Sequence, residues 1–285
     1  MTTLAPPQAE LASAAERAGA GLRMLGNEIA KALQVMWAHK TPLVLELFMA
    51  SATYWALMLF IGGGRFVTEL LGMTLAGYLA YVVSYFALLR IVSGVLEEMF
   101  TGTLEQSLLS PLRPWVQSVG RLIGSMIESV AVAAAVGAAF LGAFAGLGVE
   151  LTFQWSVLVP ILVTLADVAG FAMLLGGLAL VVNSIGAIVH VIQGFLMFLN
   201  GALIPIFAFP GWLELVAKLV PTTLGVDAIR RLTAPVDGTV ESLGDVWADG
   251  TLPWALVHAA ILLVLGWAIY QAAIRRGLRD GRLGA

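Results

Sequence analysis

The residues that could do chemistry here are the few ionisable ones set inside long apolar runs: Glu46, Arg90, Glu128, Asp167 and His190. A charge in hydrocarbon is costly, so each must pair, reach an interface or line a polar path. Glu46, four residues past Pro42, reaches the interface, and Arg90 snorkels at the end of its run. Glu128 and Asp167 lie deeper, on consecutive antiparallel runs. They can meet each other, or Glu128 can meet Arg90. A polar path and protonated glue between helices both remain open. His190 and Asn183 read as packed or interfacial residues rather than ligands.

Several chemistries are excluded. There is no cysteine, so no disulfide and no cysteine-held metal or iron–sulfur cluster. The three histidines, His39, His190 and His258, belong to separate segments, and no Ser/His/Asp or metal-ligand cluster forms around them. Asp237, Glu241, Asp245 and Asp249 recur every four residues, yet Gly238, Gly244 and Gly250 would break a helix carrying them. No calcium-loop spacing is present, so they read as a solvated loop. A nucleotide-binding P-loop needs a Gly-Lys-Ser/Thr ending. Lys31, Lys40 and Lys218 follow Ala30, His39 and Ala217, and none fits.

What must position these residues is a set of membrane helices. Of 285 residues, 60% are hydrophobic and 12% charged, against about a quarter charged in soluble domains; mean hydropathy is +0.93. Apolar runs of roughly 20 residues are long enough to span hydrocarbon. Residues 1–21 lack the apolar core of a signal peptide, so the first run is expected to be a real span. Six spans are predicted, at 43–61, 73–95, 118–147, 155–182, 186–207 and 253–274. The first of two Gly-x-x-x-Gly pairs in the third span is Gly120/Gly124 and the second Gly142/Gly146, spacing that lets neighbouring helices approach.

Residues 1–12 read as disordered. Ser13 and Glu16 form an S-x-x-E capping box, opening an amphipathic helix over 13–41. Leu22, Leu25, Ile29, Leu33 and Met36 make its apolar stripe. It is expected to lie in the membrane surface.

Lysine and arginine orient the bundle. With the N-terminus inside, the inner side holds eleven: Arg17, Arg23, Lys31, Lys40, Arg90, Arg113, Arg121, Arg275, Arg276, Arg279 and Arg282. The outer side holds four: Arg65, Lys218, Arg230 and Arg231. Both termini and the polar island at 94–121 are therefore expected in the cytoplasm. The stretch after the fifth run is then external. Pro205, Pro210 and Pro221 forbid a span there, and its greasiness forbids a free loop. A pair of short re-entrant helices packed against protein, over 205–234, reconciles the two. Trp155, Trp212, Trp247 and Trp254 mark the outer boundary as an aromatic belt.

Two stretches carry a family resemblance. In the first, Gly102, Thr103, Leu104, Glu105, Leu108, Leu109 and Pro111 follow Glu97 and Glu98. In the second, Asn200-Gly-Ala-Leu-Ile-Pro205 leads to Pro210-Gly211-Trp212, Pro221 and Ala228-Ile-Arg230. With the span count, from about residue 20 onward, the chain resembles the ABC-2-type permeases, the membrane subunits of ATP-binding-cassette exporters of the daunorubicin- and polysaccharide-exporter kind. Leu224-Gly-Val-Asp227 departs from relatives, which tend to carry an aromatic and a small residue there.

The resemblance implies an all-α membrane protein with six transmembrane helices and an N-terminal interfacial helix. It places a cytoplasmic coupling helix between spans two and three, within 96–118, and a re-entrant hairpin at 205–234. The transmembrane domain would cover 42–275, with a cytoplasmic tail at 276–285. The implied partners are a separate ABC ATPase subunit, a second permease chain (identical or not) and membrane lipid, with no nucleic acid. ATP and Mg would be bound by the ATPase and no cofactor by this chain. The implied activity is outward export of an amphipathic drug, lipid or lipid-linked glycan across the plasma membrane, by a subunit that is not itself an enzyme. The coupling residues would be Glu97, Glu98 and Glu105 with their Gly102–Pro111 neighbours. The path would be lined by faces of the first, second and fifth spans, with Tyr54, Trp55, Tyr78, Tyr81, Tyr85, Phe195, Glu128 and Asp167 as candidates. The rival functions are a secondary transporter driven by protons through Glu128 and Asp167, and a non-transporting membrane scaffold.

Overall fold

The computed structural model describes residues 14–38, 40–102, 114–149, 151, 154–182, 184–234 and 239–280. These are helical, with no β-strand among the described residues. In chain order the helices are α1 (Ala14–Ala38), α2 (Lys40–Ile61), α3 (Thr68–Phe100), α4 (Pro114–Leu147), α5 (Leu158–Ala179), α6 (Ile185–Leu199), α7 (Gly211–Lys218), α8 (Thr223–Thr233), α9 (Leu243–Ala248) and α10 (Thr251–Asp280). Among the described residues five stretches are long and apolar enough to cross a membrane: Lys40–Ile61, Thr68–Phe100, Ser118–Leu147, Trp155–Ala179 and Thr251–Gly277.

The fifth expected span differs. Predicted over 186–207, it is a helix of only 15 residues, Ile185–Leu199, about 22 Å long against a hydrocarbon core of about 30 Å. Hydropathy does not register what stops it. Gly201 takes φ +82°, a left-handed conformation that ends helices. The Asn200 side chain accepts the Ala202 N–H at 2.9 Å, drawing the chain into a break before Pro205.

α3 is the trunk. With 33 residues it runs about 50 Å, well past the hydrocarbon. Its first half buries Leu71, Leu75, Tyr78, Val82 and Phe86 against α2 and α4. Its second half buries Leu88, Ile91, Val92 and Val95 in a core shared with α5, α6 and α10. A third core joins α8, α9 and the starts of α5 and α10. α1 lies along α4. Ser13 lies outside the described residues, and so does the capping box that needs it.

The tightest helix pair is α5 with α10, and glycine sets it. A Cβ at Gly170 would sit 2.5 Å from the Leu262 carbonyl carbon, and one at Gly177 would sit 2.8 Å from the Tyr270 Cα. Gly142 and Gly146, read from the sequence as a close-packing pair, have no neighbour within 4 Å of such an atom. They face outward from this chain, because the rotation of α4 turns them away from its neighbours.

Candidate functional site

Three clusters of polar side chains stand out at different levels of the bundle. In the first, Arg90 of α3 lies between two carboxylates, its Nη2 donating to Glu46 Oε2 of α2 at 3.0 Å. Its Nε is 2.9 Å from Glu128 Oε1 of α4. Three helices are thus tied through one guanidinium, whose fixed fork suits carboxylates. Of the two partners open to Glu128 in sequence, the structure shows Arg90. Glu46 is paired as well.

Above this triad a cleft of about 390 Å³ opens between α2 and α3, lined by Leu45, Glu46, Met49, Tyr78, Tyr81, Tyr85 and Phe86 among others. The period of α3 puts Tyr78, Tyr81 and Tyr85 on one stripe, with ring centroids 5.8 and 5.9 Å apart in succession. The Tyr78 hydroxyl donates to the Ala50 carbonyl, closing one end. The Gln193 amide donates to the Tyr85 carbonyl at 3.1 Å, fixing α6 to α3, and His190 hydrogen-bonds that same glutamine at 3.2 Å. Tyr81 and Tyr85 therefore line the cleft. Tyr54 does not: it is fully buried, stacked on Phe140 at 4.7 Å, and it donates to the Leu71 carbonyl. Trp55 packs edge-on to Phe66 and Phe140 in the same aromatic knot. Phe195 is exposed on α6 away from the cleft.

The second cluster is at the far end of α3. Glu98 pairs with Arg121 of α4, bracing the two helices from which the expected coupling segment emerges. Glu97 is exposed, and Phe100 is 86% exposed at the helix tip. The Thr101 hydroxyl donates to the Glu97 carbonyl at 2.8 Å, and Gly102 turns the chain at φ +69°. Thr103, Leu104, Glu105, Leu108, Leu109 and Pro111 lie outside the described residues.

The third cluster holds the proline-rich segment. Pro205 precedes a 3₁₀ turn (Ile206–Ala208), Pro210 and Gly211 open α7, and Pro221 sits in the turn to α8. Trp212 is exposed, as are Trp155, Trp247 and Trp254. Arg230 pairs with Asp227 and lies 5.0 Å above the Phe207 ring. Burial pushes the Asp227 carboxyl up from its ordinary range and the Arg230 guanidinium down, each against the pull of the other. Arg231 donates to Glu241 at 2.5 Å and also to Asp249 and Thr251, tying α8 to 239–251. The hydrogen bond to Glu241 holds its guanidinium above the ordinary value.

Asp245 caps α9 by a reciprocal box with Ser242, which offsets the presence of Gly244. Asp237 lies outside the described residues. No metal-holding group of His, Asp or Glu occurs among the described residues.

Asp167 is well away from Glu128. Its Oδ2 accepts the Thr222 N–H at 2.6 Å, and its Oδ1 lies 2.8 Å from His258 Nδ1. His258 Nε2 is 3.2 Å from the Leu219 carbonyl, and Asn200 donates to Thr222 Oγ1 at 3.3 Å. Thr222 was not singled out in sequence, and His258 was read there as a histidine in a segment of its own, whereas the fold brings it to Asp167. The available signal was that Asp167 and His258 each stand a few turns inside the same end of two adjacent helices. Asn183 lies outside the described residues.

Comparison with known proteins agrees with this architecture. No curated protein matches the chain. The family model described as ABC-2 family transporter protein matches residues 65–270, which runs from the start of α3 nearly to the end of α10 and covers well over half the chain. This multi-pass membrane protein therefore belongs to the ABC-2 family of transporter proteins.

Proposed function

We propose that the chain is the permease subunit of an ABC exporter, driven by ATP hydrolysed on a separate ATPase subunit and working as a pair of permease chains. The observation that carries this reading is the build of α3 and α4 inside a family-matched bundle. Both helices outrun the hydrocarbon, and the Glu98–Arg121 pair braces them where the 96–118 segment leaves. Phe100 projects from that end with its ring bare. A rigid lever with an apolar tip suits docking to a soluble motor.

In this reading Glu97, Glu98 and Glu105 orient the coupling helix on the ATPase, which binds ATP and Mg. Movement of α3 is passed to α2 and α4 through Arg90. The tyrosine-lined cleft takes the substrate, whose amphipathic character matches a wall of rings above an ion triad. Leu219 and Thr222 meet residues well inside the ends of α5 and α10, which supports a hairpin re-entering the outer leaflet. Orientation follows the lysine and arginine bias, with both termini in the cytoplasm of the plasma membrane. The rival proton-driven reading needs Glu128 and Asp167 on one path, and they are held on separate partners at separate levels.

The test is Glu105→Ala in vesicles reconstituted with a cognate ATPase. The protein is expected to insert normally while its stimulation of ATP hydrolysis falls severalfold. Unchanged stimulation removes the coupling role, and a scaffold would show no stimulation at all.

A further inference from the structure

We propose that Asp167 and His258 form a proton-binding site that latches the α7–α8 hairpin to the bundle, and that the latch closes only while the pair holds its protons. The inference concerns the hairpin alone and does not depend on what drives transport.

The turn between α7 and α8 closes on a bond from the Thr223 N–H to the Val220 carbonyl at 3.3 Å, and its strained corner is also held from outside. Thr222 stands at φ +74°, the one non-glycine residue with positive φ among the described residues, a conformation that a side-chain-bearing residue keeps only where its surroundings impose it. Pro221 offers no N–H. The imposing contacts come from three other segments: Asp167 of α5 accepts the Thr222 N–H, Asn200 donates to its hydroxyl, and His258 of α10 reaches the Leu219 carbonyl.

The chemistry of His258 makes this arrangement conditional. A backbone carbonyl only accepts, so Nε2 must carry a proton to meet Leu219. Nδ1 faces a carboxylate oxygen, so a second proton must lie between Nδ1 and Oδ1. Whichever of the two atoms that proton sits on, both protons are needed for the two contacts to exist together. Removing either proton turns a nitrogen lone pair toward an oxygen lone pair, and the Leu219 or the Asp167 contact becomes repulsive. The side chain of His258 is 19% exposed, so it is not sealed inside the chain.

No other charge stands in for Asp167. It is the sole charged residue of α5. On α7, Glu214 and Lys218 pair with each other at 2.7 Å. On α8, Asp227 pairs with Arg230, and Arg231 with Glu241 and Asp249. On α9, Asp245 is committed to Ser242. On α10 itself the other titratable groups, Tyr270, Arg275, Arg276, Arg279 and Asp280, come later in the helix, toward its opposite end.

The cysteine-free sequence permits a direct test. Spin labels are placed through Leu215→Cys on α7 and Trp254→Cys at the start of α10, both exposed positions, in the full chain in lipid vesicles. Their distance distribution is read at about pH 5 and about pH 9, either side of histidine's ordinary range. A single narrow distribution is expected at the lower pH, with a broader or longer component at the higher. Either His258→Gln or Asp167→Asn is expected to make the two distributions alike. Identical distributions at both pH values in the chain with His258 and Asp167 intact overturn the proposal. A pH shift that survives either substitution does so too, by assigning the titration elsewhere. Should one variant fail to fold, the other variant and the unsubstituted pair still decide.

Discussion

Arg90 is the point at which α2, α3 and α4 depend on one side chain. Replacing it with alanine takes this guanidinium from Glu46 and from the largely buried Glu128, and losing a charged hydrogen-bond partner costs about 1–3 kcal/mol each. Arg90→Ala is therefore expected to lower the thermal midpoint in detergent clearly more than Arg90→Lys, which keeps the charge but loses the fork. Equal midpoints for the two variants would mean the triad is not a structural tie. The sequence showed that Arg90, Glu46 and Glu128 were the polar groups to watch, but not that they meet. Pairing depends on the rotation of three helices about their axes, which hydropathy does not report. Snorkelling and pairing both satisfied what could be read. His258 was passed over for the same reason, since its partners come from residues far away in the chain. At the other end of the bundle, Arg231→Ala should release 239–251 from α8. Amide exchange over that stretch is expected to rise severalfold while exchange in α3 stays unchanged.

Among the elements, length and hydrophobicity were legible and close approach was not. Five spans appear where apolar runs predicted them, with α3 extending beyond both its predicted ends. The fifth in chain order is cut short at Asn200–Gly201, where a local conformational stop overrides an apolar run that continues to Pro205. Of the two Gly-x-x-x-Gly pairs read in α4, Gly120 and Gly124 are buried while Gly142 and Gly146 face outward, and the tightest contact is between α5 and α10 through Gly170 and Gly177. Spacing says which glycines share a face but not which face meets a neighbour. A leucine at Gly170 would drive its side chain into the α10 backbone. Gly170→Leu is expected to abolish recovery of folded protein by size-exclusion chromatography, and Gly142→Leu to leave the fold intact. If Gly142→Leu instead shifts the elution from dimer to monomer, the outward glycine face of α4 is part of the pairing surface between permease chains.

At the scale of the whole molecule, the proposed function needs the trunk helix α3 of this multi-pass bundle to carry force from a tip in the cytoplasm to the tyrosine-lined cleft. Because the chain has no cysteine, single cysteines report topology cleanly. An impermeant maleimide is expected to label Trp247→Cys on intact cells and Phe100→Cys only after permeabilisation. The most direct measurement places a photo-crosslinking residue at Phe100 in cells that also make the cognate ABC ATPase. The account predicts a crosslink from Phe100 to the ATPase whose yield changes when ATP hydrolysis is blocked. Crosslinks to lipid alone, or a Phe100 position reached only from outside the cell, would contradict it.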